Sequence, residues 1–340
     1  LVVKVLETPR HRIEPARVIA DKLSKAESVA VATHVGGDGD GWGSACALAH
    51  HFGPAGVDVR LLAATPYPDR YRFILPEGLR PLAPEESGLE ALRLADLHLV
   101  VDASEPGRLG DFAPFYEPER TIVIDHHAVN SAHIEAAHEL IDPVAAATAE
   151  LVFDILTQTD RPIGPAAATA LYVGMVTDTG SFRYSNSTPH AHRVAAALIE
   201  AGADPEALYR PLFATLTPAD LGTLQAALSS LGRDPEYAIA WAVVDAATSR
   251  RLGALEEYEG VIEHLRNLQG TEIAILFREM ASGEVKISFR STGPAEVASL
   301  ARSFGGGGHE KAAGATVSGQ LADVVERVLA ACRAGLAGSP

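Results

Sequence analysis

Aspartate and histidine recur at four places in the N-terminal half of the chain, each beside a turn rather than inside a charged run. His34, Asp38 and Asp40 lie in THVGGDGDGWGS, and Asp102 closes LHLVVD. Asp125, His126 and His127 close TIVIDHH, and Asp178 lies in TDTGSFR. Carboxylates and imidazoles without thiolates suit manganese, magnesium, cobalt or zinc, and a mixed oxygen and nitrogen set leans toward manganese. Asp38, Asp40, Asp102 and Asp178, brought together, would repel and raise one another's pKa. Two divalent cations would neutralise them. Two ions about 3.5–4 Å apart can bridge a hydroxide and clamp a phosphoryl group for in-line attack.

Plainer readings compete at each position. A lone Asp after a strand is usually a helix cap or a turn residue. Residues 36–43 could be only a glycine-rich turn, or a phosphate loop opening a helix. A phosphate loop often carries a Lys, and this one has none. Two adjacent histidines directly after a buried strand are harder to explain by structure alone. Taken together the cluster favours a metal site.

The elements that must position these residues follow from the pattern. Residues 28–33, 57–64, 97–102 and 121–125 read as short buried strands. Residues 43–52, 145–157 and 165–177 have helical composition, and Thr188-Pro189 opens a further helix that stops at Gly202. Strand and helix signals alternate, so the expected fold class is α/β. It comprises a mostly parallel, doubly wound N-terminal sheet joined by a helical connector to a smaller C-terminal α/β domain. In such sheets ligands bind beyond the carboxyl ends of the strands, where three of the four sites lie. Asp178 reads as part of the loop after a helix. The expected domains are residues 1–203, a connector at 204–234, and 235–340. Within the last, strands are expected at 237–244, 272–277 and 285–290, with helices at 247–268, after Gly293-Pro294, and at 321–334.

Composition narrows the function classes. Hydrophobic residues make up 47% and charged residues 21% of 340, an ordinary globular mix. No apolar run is long enough to cross a bilayer, and no signal-peptide pattern opens the sequence. Cys46 and Cys332 form neither a disulfide framework nor a zinc site, which suits a reducing cytoplasm. The net charge of −16 argues against a protein that coats long nucleic acid. It leaves room for a small phosphorylated substrate, because bound cations reverse the local field. Residues 305–314, GGGGHEKAAG, permit positive φ and close backbone approach to an anion, with His309 beside them. A flexible surface turn is the alternative. Arg290 ends a strand and could pair with phosphate or stack on a base. Arg183 could contact phosphate or form a surface ion pair.

The four N-terminal motifs, in this order, resemble the DHH phosphoesterase superfamily, named for the run matching Asp125-His126-His127. The resemblance covers nearly the whole chain. It implies that His34 and Asp38 bind a first metal, that Asp40, His126 and Asp178 bind a second, and that Asp102 bridges the two. His127 would sit near the scissile phosphate as donor or acid, and Asp125 would orient its neighbours by hydrogen bonds. The superfamily usually has Pro-Asp-Gly-Asp-Ala where this chain has Gly37-Asp38-Gly39-Asp40-Gly41.

Residues 288–291 and the glycine run resemble the nucleic-acid-binding domain of one large subgroup, the branch of the NrnA-type oligoribonucleases. That branch implies hydrolysis of very short RNA oligonucleotides to 5′-mononucleotides. It also implies removal of the 3′-phosphate from 3′-phosphoadenosine 5′-phosphate, a nucleotide bisphosphate, to give AMP. A hydroxide bridging two metals would attack, the metals being manganese, with magnesium or cobalt as alternatives. Arg183, Arg290, Gly306, Gly307, Gly308 and His309 would hold the substrate. The resemblance also admits a homodimer and involves no membrane. Competing readings are a phosphodiesterase for cyclic or linear dinucleotides, a RecJ-like single-strand exonuclease, and a catalytically silent nucleotide sensor. The charge counts against long strands, and retention of every expected ligand counts against silence.

Overall fold

The computed structural model describes residues 7–128, 132–214, 216–252 and 260–337. It divides into two compact units, Leu1–Ala214 and Thr215–Pro340.

In the first unit, α1 (Arg10–Lys25) precedes β1 (Ser28–Ala32), α2 (Gly39–Phe52), β2 (Asp58–Leu62), α3 (Glu86–Leu94) and β3 (Leu97–Val101). There follow β4 (Thr121–Asp125), β5 (His138–Ile141), α4 (Thr148–Leu156), α5 (Pro165–Asp178), α6 (Pro189–Glu200) and α7 (Pro205–Phe213). The five strands form a parallel sheet in the order β2-β1-β3-β4-β5. β1, β3 and β4 are almost wholly buried, as apolar runs covered on both faces must be. The order reverses between β1 and β3, and that switch point is where an open α/β sheet leaves a crevice. His34 follows one of these strands and Asp102 the other.

α2 begins four residues earlier than its composition suggests. The reason is Asp38, whose carboxylate Oδ1 accepts from the backbone N–H of Asp40 at 3.0 Å and of Gly41 at 3.2 Å. Such a cap satisfies donors that the first helical turn cannot pair. α1 has no counterpart in the apolar pattern, because one of its buried positions is Arg12. That guanidinium donates to Asp142 and Glu150 at 2.6 Å each and to Asp154 at 3.1 Å, all buried.

The second unit holds α8 (Pro218–Ser229), β6 (Gly232–Asp234), β7 (Ile239–Val244), α9 (Ala246–Leu252), α10 (Gly260–Arg266), β8 (Ile273–Glu279) and β9 (Glu284–Ser291). It ends with α11 (Ala298–Ser303), β10 (Gly307–His309), β11 (Ala312–Ser318) and α12 (Leu321–Ala337). Its sheet runs β10-β11-β9-β8-β7-β6, with only β7 and β8 parallel. The single helix expected over 247–268 is two helices, with 253–259 outside the described residues. The helical stretch after residue 204 is also two helices, one in each unit. No described helix is long and apolar enough to cross a membrane.

Replacing Arg12 with Ala removes the one guanidinium shared by three buried carboxylates and leaves His11 beside Asp142. Breaking one side of a buried ion pair costs about 3–5 kcal/mol. Urea unfolding of Arg12→Ala should show a loss of that size, and an unchanged midpoint would contradict the role of this network.

Candidate metal centre

The strand ends and two helices bring all eight N-terminal candidates together. His34 follows β1, Asp102 follows β3, and Asp125, His126 and His127 lie at the end of β4. Asp38 caps α2, Asp40 lies in its first turn, and Asp178 is the last residue of α5 rather than part of the following loop. Asp102 anchors the arrangement. Its backbone N–H donates to Ile124 O at 2.9 Å, and its φ of 63° lies in the left-handed region. A residue other than Gly held there is strained, and such strain collects at functional sites.

The two Asp102 oxygens face different neighbours. Oδ2 lies 3.4 Å from His34 Nε2, which is itself 3.8 Å from Asp38 Oδ1. Oδ1 lies 3.7 Å from His126 Nε2, which is 3.8 Å from Asp40 Oδ2 and 3.6 Å from Asp178 Oδ2. The donor atoms fall into sets of His34, Asp38 and Asp102, of Asp40, His126 and Asp178, and of Asp102, His126 and His127, each compact enough to hold one ion. These separations exceed hydrogen-bonding distance but suit donors arranged about a cation.

The imidazoles are oriented to offer Nε2. His34 Nδ1 lies 2.8 Å from Val35 O, and a carbonyl can only accept, so Nδ1 carries a hydrogen there. His34 Nε2 is buried and has no hydrogen-bond partner. His126 Nδ1 faces Ala145 O in the same way at 3.4 Å. A buried nitrogen aimed at two carboxylates, with its ring fixed from behind, fits a metal ligand. His127 Nδ1 donates to Asp125 Oδ1 at 2.8 Å, and that oxygen also accepts the His127 backbone N–H at 3.1 Å.

The electrostatics follow from burial. Asp40 and Asp102 are 1% and 2% exposed. Burial, then repulsion from Asp102, Asp178 and Asp38, pushes the Asp40 pKa well above the carboxylate range. Burial also raises Asp178 to about 6; His126 opposes the shift, while Asp102 and Asp38 add to it. Burial alone would depress His34, but Asp102 and Asp38 outweigh it and raise its pKa to about 10. His127 is raised likewise, with Asp125 and Asp102 overcoming burial and Arg108 opposing them. Burial works against the Asp38 carboxylate, yet His34 and the Gly41 and Asp40 amides hold its pKa down at about 2. The cluster therefore holds positive charge even as a proton on His34.

Two residues that the sequence reading passed over complete the site. Thr148 donates its backbone N–H to Asp40 Oδ2 at 2.6 Å and its hydroxyl to Asp102 Oδ1 at 3.0 Å, and the Ala149 N–H reaches Asp40 Oδ1 at 2.8 Å. Asn186 Nδ2 donates to the Asp178 backbone oxygen at 3.2 Å. One signal was available. α4 starts after Ala147, a poor N-cap with no side-chain cap, so its first amides need acceptors from elsewhere. The glycine that replaces the family's alanine also has a local cause. An ideal Cβ on Gly41 would lie 2.0 Å from Thr33 Oγ1 and 3.3 Å from Asp102 Oδ2.

The other candidates lie apart from these contacts. Arg183 is exposed, and its Nε donates to Gly180 O at 2.7 Å. In the second unit, half-buried Arg290 has its Nε 3.7 Å from Glu263 Oε1. Gly306 and Gly308 approach backbone rather than open space. Ideal Cβ atoms there would lie 2.0 Å from Gly314 O and 2.6 Å from Ala312 O, whereas Gly307 is open. The run thus enters strand β10 instead of forming a loop throughout. The His309 side chain lies outside the described part of the structure.

A family model described as the DHH family, N-terminal domain, matches residues 28–175, and one described as the DHHA1 domain matches 254–336. The chain is 31% identical over 331 residues to the bifunctional oligoribonuclease and PAP phosphatase NrnA of Thermus thermophilus, covering 94% of each. It is 26% identical over 322 residues to the protein of the same name from Bacillus subtilis, covering 91% of this chain and 94% of that one. An exopolyphosphatase-related protein from Bacteroides fragilis superposes with a TM-score of 0.89 at 23% identity, covering 98% of each chain.

A divalent cation entering beside His34 has to displace the proton held there. Cation uptake near neutral pH should therefore release at least one proton, read by titration calorimetry in buffers of different ionisation enthalpy. Affinity should fall as the pH drops through about 6, where Asp178 takes up a proton. A proton count of zero would mean that His34 is not displaced.

Proposed function

The chain belongs to the DHH family, and from that premise we propose that it hydrolyses very short RNA oligonucleotides to 5′-mononucleotides and 3′-phosphoadenosine 5′-phosphate to AMP. The observation that carries the reading is Asp102, whose two oxygens face two separate donor sets at 3.4 Å and 3.7 Å. A carboxylate so placed suits a ligand shared by two cations. His34 and Asp38 would complete one position, and Asp40, His126 and Asp178 the other. The donor set favours manganese, with magnesium or cobalt able to substitute. The coverage of both NrnA relatives over nearly their whole length supports this substrate class.

When bound, the ions lower the pKa of the attacking water and neutralise charge on the phosphoryl oxygens. The chain's own groups supply the rest. The hydrogen bond to Asp125 orients the His127 ring, which would supply a proton to the leaving oxygen. Against burial, Asp125 and Asp102 raise the His127 pKa, which favours that proton. Arg290 would bind substrate phosphate through charge, and Gly306–Gly308 would let an anion approach the backbone closely. His309 and Arg183 are further contacts of the same kind. The free, buried thiols of Cys46 and Cys332 support a reducing cytoplasm as its compartment.

Asp102→Asn keeps a residue that tolerates positive φ but removes a shared charge, so metal-dependent turnover should vanish in a folded protein. His127→Ala should lower kcat by roughly 10²–10⁴-fold. Arg290→Ala should raise KM with kcat nearly unchanged. The deciding assay is a manganese panel of RNAs from dinucleotides to long strands, matched DNAs, 3′-phosphoadenosine 5′-phosphate, cyclic di-AMP and pyrophosphate. Rates that climb with length would overturn the short-substrate reading.

A further inference from the structure

One half of the cluster is steered from a single short segment. Residues 145–149 (AAATA) lead into α4 and open it. The Ala145 carbonyl faces His126 Nδ1 at 3.4 Å. The Ala146 carbonyl accepts from Asn186 Nδ2 at 2.8 Å, and the same nitrogen reaches the Asp178 backbone oxygen at 3.2 Å and its Oδ2 at 3.4 Å. All three neighbours are acceptors, which fixes the orientation of the Asn186 amide. Thr148 and Ala149 hold Asp40 through their amides, and the Thr148 hydroxyl holds Asp102 by Oδ1, the oxygen that faces His126. Every carboxylate oxygen facing His126 Nε2 is thus held, directly or through Asn186, from this segment.

The other half has different supports. His34 leans on Val35 O, and Asp38 on the first amides of α2. Among the described residues, no hydrogen bond joins 145–149 to His34 or Asp38. The segment is itself clamped at both ends. The Ala145 N–H donates to Asp142 O at 3.0 Å and the Ala146 N–H to Glu150 Oε2 at 3.2 Å. Asp142 and Glu150 are two of the three carboxylates bound by Arg12.

We propose that Thr148 and Asn186 are positioning residues for the Asp40–His126–Asp178 cation position, Asn186 acting on that position alone and Thr148 acting on it more than on the His34–Asp38 position, because it holds the Asp102 oxygen turned toward His126. The inference rests on the two-cation reading above. A ligand carboxylate that loses its supporting hydrogen bond must be ordered by the ion itself, and removing such partners typically costs 10–100-fold in metal affinity. A carboxylate held from behind also presents one oxygen in a fixed direction, which is what separates the two positions here.

The test is manganese binding to the full chain, by titration calorimetry and by electron paramagnetic resonance of unbound manganese. Wild type should bind two ions. Asn186→Ala should weaken one ion by roughly 10–100-fold and leave the other unchanged, and Thr148→Val, which releases the shared Asp102, should weaken that same ion more than the other. Thr148→Ser, which keeps both hydrogen bonds, should restore wild-type binding. His34→Ala should weaken the opposite ion. If Thr148→Val loses its cooperative melting transition, Asn186→Ala, at a partly exposed site, decides the matter. Equal weakening of both ions, or no change in either, overturns the inference while the two-cation reading stands. A wild type that binds fewer than two ions overturns that reading, and the inference with it.

Discussion

The structure is organised around negative charge placed where water does not reach. Asp40, Asp102 and Asp125 are almost wholly buried, and Asp38 and Asp178 stand beside them. A carboxylate removed from water must be paired, hydrogen-bonded or neutralised. Each available means is used. Imidazoles face the carboxylates, backbone amides hold Asp38 and Asp40, and the Thr148 hydroxyl holds Asp102. Asp40 also gains from the positive end of α4, whose first amides point at it. These supports order the oxygens without saturating them, and oxygens that are ordered but not saturated can bind a cation.

The same constraint appears again one helical turn away. Arg12 gathers Asp142, Glu150 and Asp154, and α4 carries the last two. The start of that helix faces the cluster and its next turn faces the guanidinium. α4 therefore relays between two sites of buried charge, and α1, which offers no ligand, fixes the helix that holds the ligands. Close packing keeps this relay short. An ideal Cβ on Gly174 of α5 would lie 2.8 Å from Asp40 Oδ1, so the two helices meet at the cluster itself.

The parts legible in the sequence were those where chemistry and periodicity coincide. β1, β3 and β4 are short apolar runs that end in acidic or imidazole residues, and a parallel sheet gathers such ends on one edge. The parts that were not legible depend on partners distant in sequence. α1 turns a buried Arg toward carboxylates more than a hundred residues away, and no apolar periodicity reports that. β10 and the first half of β11 are mostly glycine and alanine, which have low strand propensity, and they form because β9 supplies a partner for β11. The glycine run accordingly serves the sheet at Gly306 and Gly308 as well as any ligand. Nothing in their local sequence marks Thr148 and Asn186, since their value lies only in what they touch.

The spread of the donors along the chain has a consequence for biogenesis. The first, His34, and the last, Asp178, are separated by four of the five strands and three covering helices. A ribosome releases the N-terminal portion first, and the set of Asp40, His126 and Asp178 is complete only once the end of α5 has emerged. Small metallodomains can use the ion as a folding template. This architecture has to complete its sheet and dock α5 before both cation positions exist. The cluster therefore assembles against its own charge repulsion, with the proton on His34 as its countercharge, and full loading with cations follows folding.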